Sequence, residues 1–161
     1  MAIYIVIIPK SGTISLEKMS TKIWYKDGML HRDGDLPAIE TSNGDKAWYQ
    51  NGMIHREGDK PAFEGIKGDK HWYKNGLRHR EDCLPAIVWE DGTKEWFQNG
   101  LRHREDDKPA FEGMNGHKRC YCADVEKAWY QDSRLHRECN LPAVEKLDGS
   151  CKRYRRGQDV K

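Results

Sequence analysis

Hydrophobic positions along this chain come in short bursts divided by glycine turns, and nowhere do they follow a helical stripe. The first burst, Ala2 to Ile8, is rich in β-branched residues. It reads as a buried or pairing strand that ends at Pro9. It is too short to span a bilayer. It also lacks the basic region and small-residue cleavage pattern of a secretory signal. No later segment is apolar enough for a membrane helix, so the expectation is a soluble intracellular protein.

The later bursts repeat. Trp24, Trp48, Trp72 and Trp96 recur every 24 residues, and Trp129 follows after 33. His31, His55, His79, His103 and His136 keep the same spacing, as do Pro37, Pro61, Pro85, Pro109 and Pro142. The last interval in each series is nine residues longer, which places one insertion at about 117–125. The consensus is K-x-W-[YF]-x-[ND]-G-x-x-H-R-[DE]-x-x-x-P-A. The fifth copy carries Asp132-Ser133 where the others carry Asp-Gly or Asn-Gly. A partial sixth copy, CKRYRRG, keeps Lys152 and is expected to put Tyr154 in the tryptophan place.

Asp-Gly or Asn-Gly after an aromatic strand suits a two-residue type I′ turn, because both central residues need positive φ. With Asn75-Gly76 as the loop, Lys74 pairs with Leu77, Tyr73 with Arg78, and Trp72 with His79. Cross-strand partners share a face. Trp72, Lys74, Leu77 and His79 are therefore expected on one side, with Tyr73, Arg78 and Arg80 on the other. Proline ends the second strand. A short strand then starts at Ile39, Phe63, Ile87, Phe111 or Val144. A second turn such as SNGD, IKGD or EDGT leads to the next Lys-x-Trp.

The fold class that follows is all-β, an elongated single-sheet array of about five 24-residue β-hairpin repeats without substantial helix. Residues 1–23 form a capping or dimerising strand and linker, 24–153 the repeats, and 154–161 a C-terminal cap or tail. The repeat resembles the MORN type, with units of similar length built around an aromatic-x-x-Gly hairpin. The closer likeness is to a WYxNGxxHRxxxxPA variant found in large DNA viruses of amoebae. The standard pattern has a glycine-rich stretch where this chain has HRxxxxPA. The resemblance implies a hairpin array used for scaffolding, with a virion as one setting, and it implies no catalytic residues.

Charge narrows the alternatives. Lys plus Arg is 28 and Asp plus Glu is 26, a net charge of +2 that gives no general case for polyanions. Charged residues make up 34% and apolar residues 37%, so a large compact core is not expected, whereas a repeat need only cover its neighbours. Each Arg of the repeat is followed by an acid, and five equivalent His-Arg pairs read as packing, not as one catalytic site. A non-enzymatic protein without cofactor is expected.

The expected partner is another protein or a second copy, as a homodimer, because two-faced hairpins leave aromatic surface partly uncovered. Nucleic acid or anionic lipid headgroups are the alternative, met by the Arg and Lys series. Ile5 and Ile7 of the first strand, His117, Cys120, Tyr121 and Cys122 of the insertion, and Arg153, Arg155 and Arg156 near the end are the candidate contact residues. His117, Cys120 and Cys122 with Cys139 or Cys151 are acceptable zinc ligands by type. Cys-x-Cys is not the usual knuckle, however, and free thiols are the default.

Overall fold

A computed structural model describes residues 3–9, 20–114, 125–139 and 141–160. None of these residues is helical. The chain divides into two compact units, Met1–Leu77 and Arg78–Lys161. Both are built from antiparallel hairpins.

Each repeat contributes two kinds of hairpin. The first carries the two-residue turn. Asp27-Gly28, Asn51-Gly52, Asn75-Gly76 and Asn99-Gly100 all hold positive φ at both residues. Asp132-Ser133 does so without glycine, as Asp and Ser tolerate it at a cost in strain. The register is the expected one: Tyr25 faces Leu30, Tyr49 faces Ile54, Phe97 faces Arg102 and Tyr130 faces Leu135. The backbone N–H of His31 then donates to the carbonyl of Trp24, and His55, His103 and His136 repeat this bond.

The second hairpin forms the spine of the sheet. In the first unit its strands run Ile3–Pro9, Ser20–Lys26, Ile39–Glu40, Lys46–Ala47, Phe63–Glu64 and Lys70–His71. In the second unit they run Ile87–Val88, Lys94–Glu95, Phe111–Glu112, Val125–Ala128, Val144–Lys146, Cys151–Arg155 and Gln158–Val160. The loops that follow Glu40, Glu64, Val88 and Lys146 are closed by Gly44, Gly68, Gly92 and Gly149, each in the left-handed region. In the first, Gly44 N–H donates to Thr41 and Thr41 N–H to Asp45.

Register sorts the spine residues into two rows. One row reads Ile23, Ile39, Ala47, Phe63 and His71 in the first unit, and Ile87, Glu95, Phe111, Ala128 and Val144 in the second. The other alternates charge: Lys22, Glu40, Lys46, Glu64 and Lys70, then Val88, Lys94, Glu112, Lys127 and Glu145. Opposite charges facing each other across strands favour this register over a slipped one. Ala38, Ala62, Ala86, Ala110 and Ala143, the residue after each repeat proline, are fully buried. Ala38, Ala62, Ala110 and Ala143 each accept the backbone N–H of the tryptophan of their own repeat.

The terminal hairpin differs by one residue from the expected alignment. Arg156-Gly157 forms its positive-φ turn, and Tyr154 faces Asp159. Tyr154 therefore stands in the place of Tyr130, and Arg153 in the place of tryptophan. Lys152 faces Val144, as Ala128 does, so Cys151 takes the lysine place. The turn sets the register, and Arg156-Gly157 rather than the aromatic ring marks it.

Candidate interaction surface

The five repeat tryptophans are only 4–8% exposed. The expected uncovered aromatic surface is thus absent at these positions, for two reasons. The guanidinium of the same repeat lies on the ring: Arg32 over Trp24, Arg56 over Trp48 and Arg104 over Trp96 at 3.7 Å, and Arg137 over Trp129 at 3.9 Å. The indole Nε1–H meanwhile donates to a backbone carbonyl of the preceding repeat. Trp48 reaches Asp35, Trp72 reaches Asp59, Trp96 reaches Cys83 and Trp129 reaches Asp107, all at 2.9–3.0 Å.

This corrects the expected placement of Trp and Arg on opposite faces. Strand alternation stops at the residue before the histidine, and the loop that follows swings the arginine back over the ring. Once there, Arg Nη1 donates to the carbonyl of the repeat proline in all five copies. It also reaches a glutamate: Glu40, Glu64, Glu112 or Glu145. Arg56 also clasps Asp35 of the preceding repeat, and Arg137 clasps Asp107. Arg56 and Lys60 together hold the Asp35 carboxyl down at about 2.

The acid after each arginine bonds to the histidine instead. His Nε2 lies 2.8–3.1 Å from Asp33, Glu57, Glu81, Glu105 or Glu138. On the other side, Nδ1 of His31, His55, His79 and His136 accepts a backbone N–H from Asn51, Asn75, Asn99 and Arg156, the first turn residue of the next repeat. An imidazole accepting at Nδ1 carries its proton on Nε2. In His31, His55 and His136 both nitrogens are hydrogen-bonded, whereas His79 Nε2 lies 3.1 Å from Glu81 without a hydrogen bond among the described residues. His103 Nδ1 departs from this pattern and has no hydrogen-bond partner among the described residues.

Departures from the repeat gather in the second unit. Cys83 stands where Asp35 and Asp107 stand, and the Nε of Arg104 is buried without a hydrogen-bond partner among the described residues. Val88 replaces the glutamate. Glu95, 6% exposed, enters the apolar row and bonds Arg102 and the indole of Trp89, the one tryptophan outside the series. Burial alone would lower the pKa of Arg102, but Glu95 and Tyr130 outweigh it and raise it. Phe97 replaces the usual tyrosine and lies between Arg78 and Arg102, at 5.4 and 5.3 Å. No spacing signal marks this cluster; it shows only as residues that break the consensus.

What remains outward is a set of half-exposed apolar side chains at equivalent places. Met29, Met53 and Leu77 occupy one position of three successive repeats, and Leu101 occupies it in the fourth. Met29 stacks against Gly52 of the next hairpin, and Met53 against Gly76. In the fifth copy the position is Arg134. Arg153, Arg155 and Arg156 are exposed on the terminal hairpin. There an open groove of about 400 Å³ is lined by His136, Cys139, Leu141, Arg153, Tyr154 and Val160, among others.

Ile5 and Ile7 lie in the strand Ile3–Pro9, opposite Trp24 and Lys22. Cys83, Cys139 and Cys151 are exposed free thiols. His117, Cys120, Tyr121 and Cys122 lie outside the described residues. No helix among the described residues is long and apolar enough to cross a membrane. The geometry defines an antiparallel β-hairpin array in which aromatic, cationic and imidazole groups join one repeat to the next. No family model, no curated protein and no solved structure matches this chain.

Proposed function

We propose that this chain is a non-enzymatic repeat scaffold whose role is protein–protein contact, including contact with itself. The observation that carries the reading is the use of the chemistry-bearing side chains. In the repeats, the tryptophans, the histidines and the arginines after them are spent on the neighbouring repeat or on their own loop, while Met29, Met53, Leu77 and Leu101 are among the apolar side chains left facing solvent. Scattered exposed apolar residues are ordinary. Within the first unit Met29 and Met53, each set against the glycine of the next hairpin turn, offer more than scattered apolar contacts. The MORN-like variant, with an intracellular or virion setting, fits the same role. Capture of the tagged protein at near-physiological salt, with and without nuclease, tests it. Protein partners that survive nuclease support a scaffold, and their loss on nuclease treatment removes it.

The exposed Arg153, Arg155 and Arg156 favour a second reading, a polyanion contact confined to the terminal hairpin. Within the repeats Arg32, Arg56, Arg104 and Arg137 already pair with glutamates, so this reading does not extend to them. It expects binding that falls steeply with salt and is abolished by Arg155→Ala with Arg156→Ala. Unchanged binding in that double variant counts against it.

A further inference from the structure

We propose that two copies of this chain pair through their Ile3–Pro9 strands, antiparallel and main chain to main chain, about an axis at Val6. The proposal rests on the scaffold reading and names one of its partners. Ile3–Pro9 pairs over all seven residues with Ser20–Lys26, from Ile3 opposite Lys26 to Pro9 opposite Ser20. No described strand lies on its other edge. Alternate residues along that edge turn N–H and C=O groups outward over about 24 Å, a template for another strand.

Exposed edges are ordinarily blunted by charge, shortness or bulges. The terminal strand of the second unit shows such protection: Gln158–Val160 has three residues, contains Asp159 and follows Arg155 and Arg156. Ile3–Pro9 has only Pro9, at its very end. Among described strands longer than three residues, it alone contains no charged residue.

The same contrast selects the occupant. A charged strand set against this uncharged run would lose hydration without gaining a counter-charge. Among the described strands, only Ile3–Pro9 itself matches in length, lack of charge and free edge. Ser20–Lys26 is already paired on both sides, with Ile3–Pro9 and with Ile39–Glu40. Antiparallel self-pairing sets Ile5 opposite Ile7, Tyr4 opposite Ile8 and Val6 opposite itself. Such an isologous contact closes at two copies.

Sedimentation velocity of the full chain over a wide concentration range tests the pairing. The wild type is expected at twice the monomer mass. Val6→Lys and Val6→Glu each set like charges together at the axis, so each is expected to be monomeric, and their equimolar mixture is expected to recover a mixed dimer. Amide exchange on the wild type needs no variant to fold: alternate amides within residues 3–9 should gain protection as concentration rises. A wild-type monomer overturns the proposal. So do a Val6→Lys homodimer, a mixture of folded variants that stays monomeric, or protection that ignores concentration. A monomer that still captures nuclease-resistant partners sinks the dimer alone, whereas a dimer whose captures vanish with nuclease keeps the self-contact and removes contact with other proteins.

Discussion

Arg56 clasps Asp35 of the preceding repeat through two hydrogen bonds, 2.7 Å from Nε and 3.2 Å from Nη2. With its guanidinium already stacked on Trp48, this arginine joins two repeats by one side chain. Such links replace the large apolar core that the composition does not supply.

That link is pH-dependent. The Asp35 carboxyl is held at about 2, below its ordinary 3.8, first by hydrogen bonds from Arg56 and Lys60. A depressed carboxyl contributes stability that is fully present above 3.8 and is lost as pH falls through about 2. The Asp35 side chain is 43% exposed, so screening limits the pair to at most about 1 kcal/mol. Thermal melts of Asp35→Asn should lie below wild type at neutral pH and converge with it in that acid window. An undiminished gap at the acid end would argue against the link.

Cys83→Asp should restore a carboxylate to the place held by Asp35 and Asp107. Arg104 Nε, buried without a hydrogen-bond partner among the described residues, would then be satisfied. The expected gain is about 0.5–1 kcal/mol, or roughly 1–4 °C in melting temperature. Cys83→Ser, which adds no charge, should stay near wild type. Equal effects from both variants would mean that the carboxylate plays no part.

The Glu95–Arg102 pair lies where other repeats carry Ala47 or Ala128 and Leu30 or Leu135. Arg102→Leu strands a buried carboxylate on the Trp89 indole and should cost about 3 kcal/mol. Adding Glu95→Ala returns both positions to repeat-like residues and should recover most of that loss. Denaturant titration of the single and double variants reads the coupling. Additive losses would show that the two residues act independently.

Gly76 has φ +83 in its two-residue turn. An added Cβ would meet nothing closer than Met53 at 3.9 Å, so Gly76→Ala isolates backbone strain from crowding. The left-handed conformation costs an L-residue about 1–2 kcal/mol, to be read by denaturant titration. A cost near zero would mean that the turn relaxes into another type.

The hairpins were legible because turn chemistry is local. Asn-Gly after an aromatic strand admits one turn type, and that turn fixes which residues face each other, as Tyr49 and Ile54 do. The charge row was half legible: the lysine series was visible as a spacing, but its glutamate partners show only once strands 18 residues apart, such as those of Lys22 and Glu40, are set side by side.

The sequence by itself determined the repeat, its hairpin turns and the all-β class. Those follow from φ restrictions, which act within a few residues. Only the tertiary structure decided where the polar groups go. That His55 accepts from Asn75, and that Arg56 covers Trp48 and holds Asp35, depend on stacking one repeat on the next. Hydrogen bonds and cation–π contacts between residues seven to twenty or more positions apart leave no trace in local pattern. Their geometry exists only once the backbone has brought the repeats together.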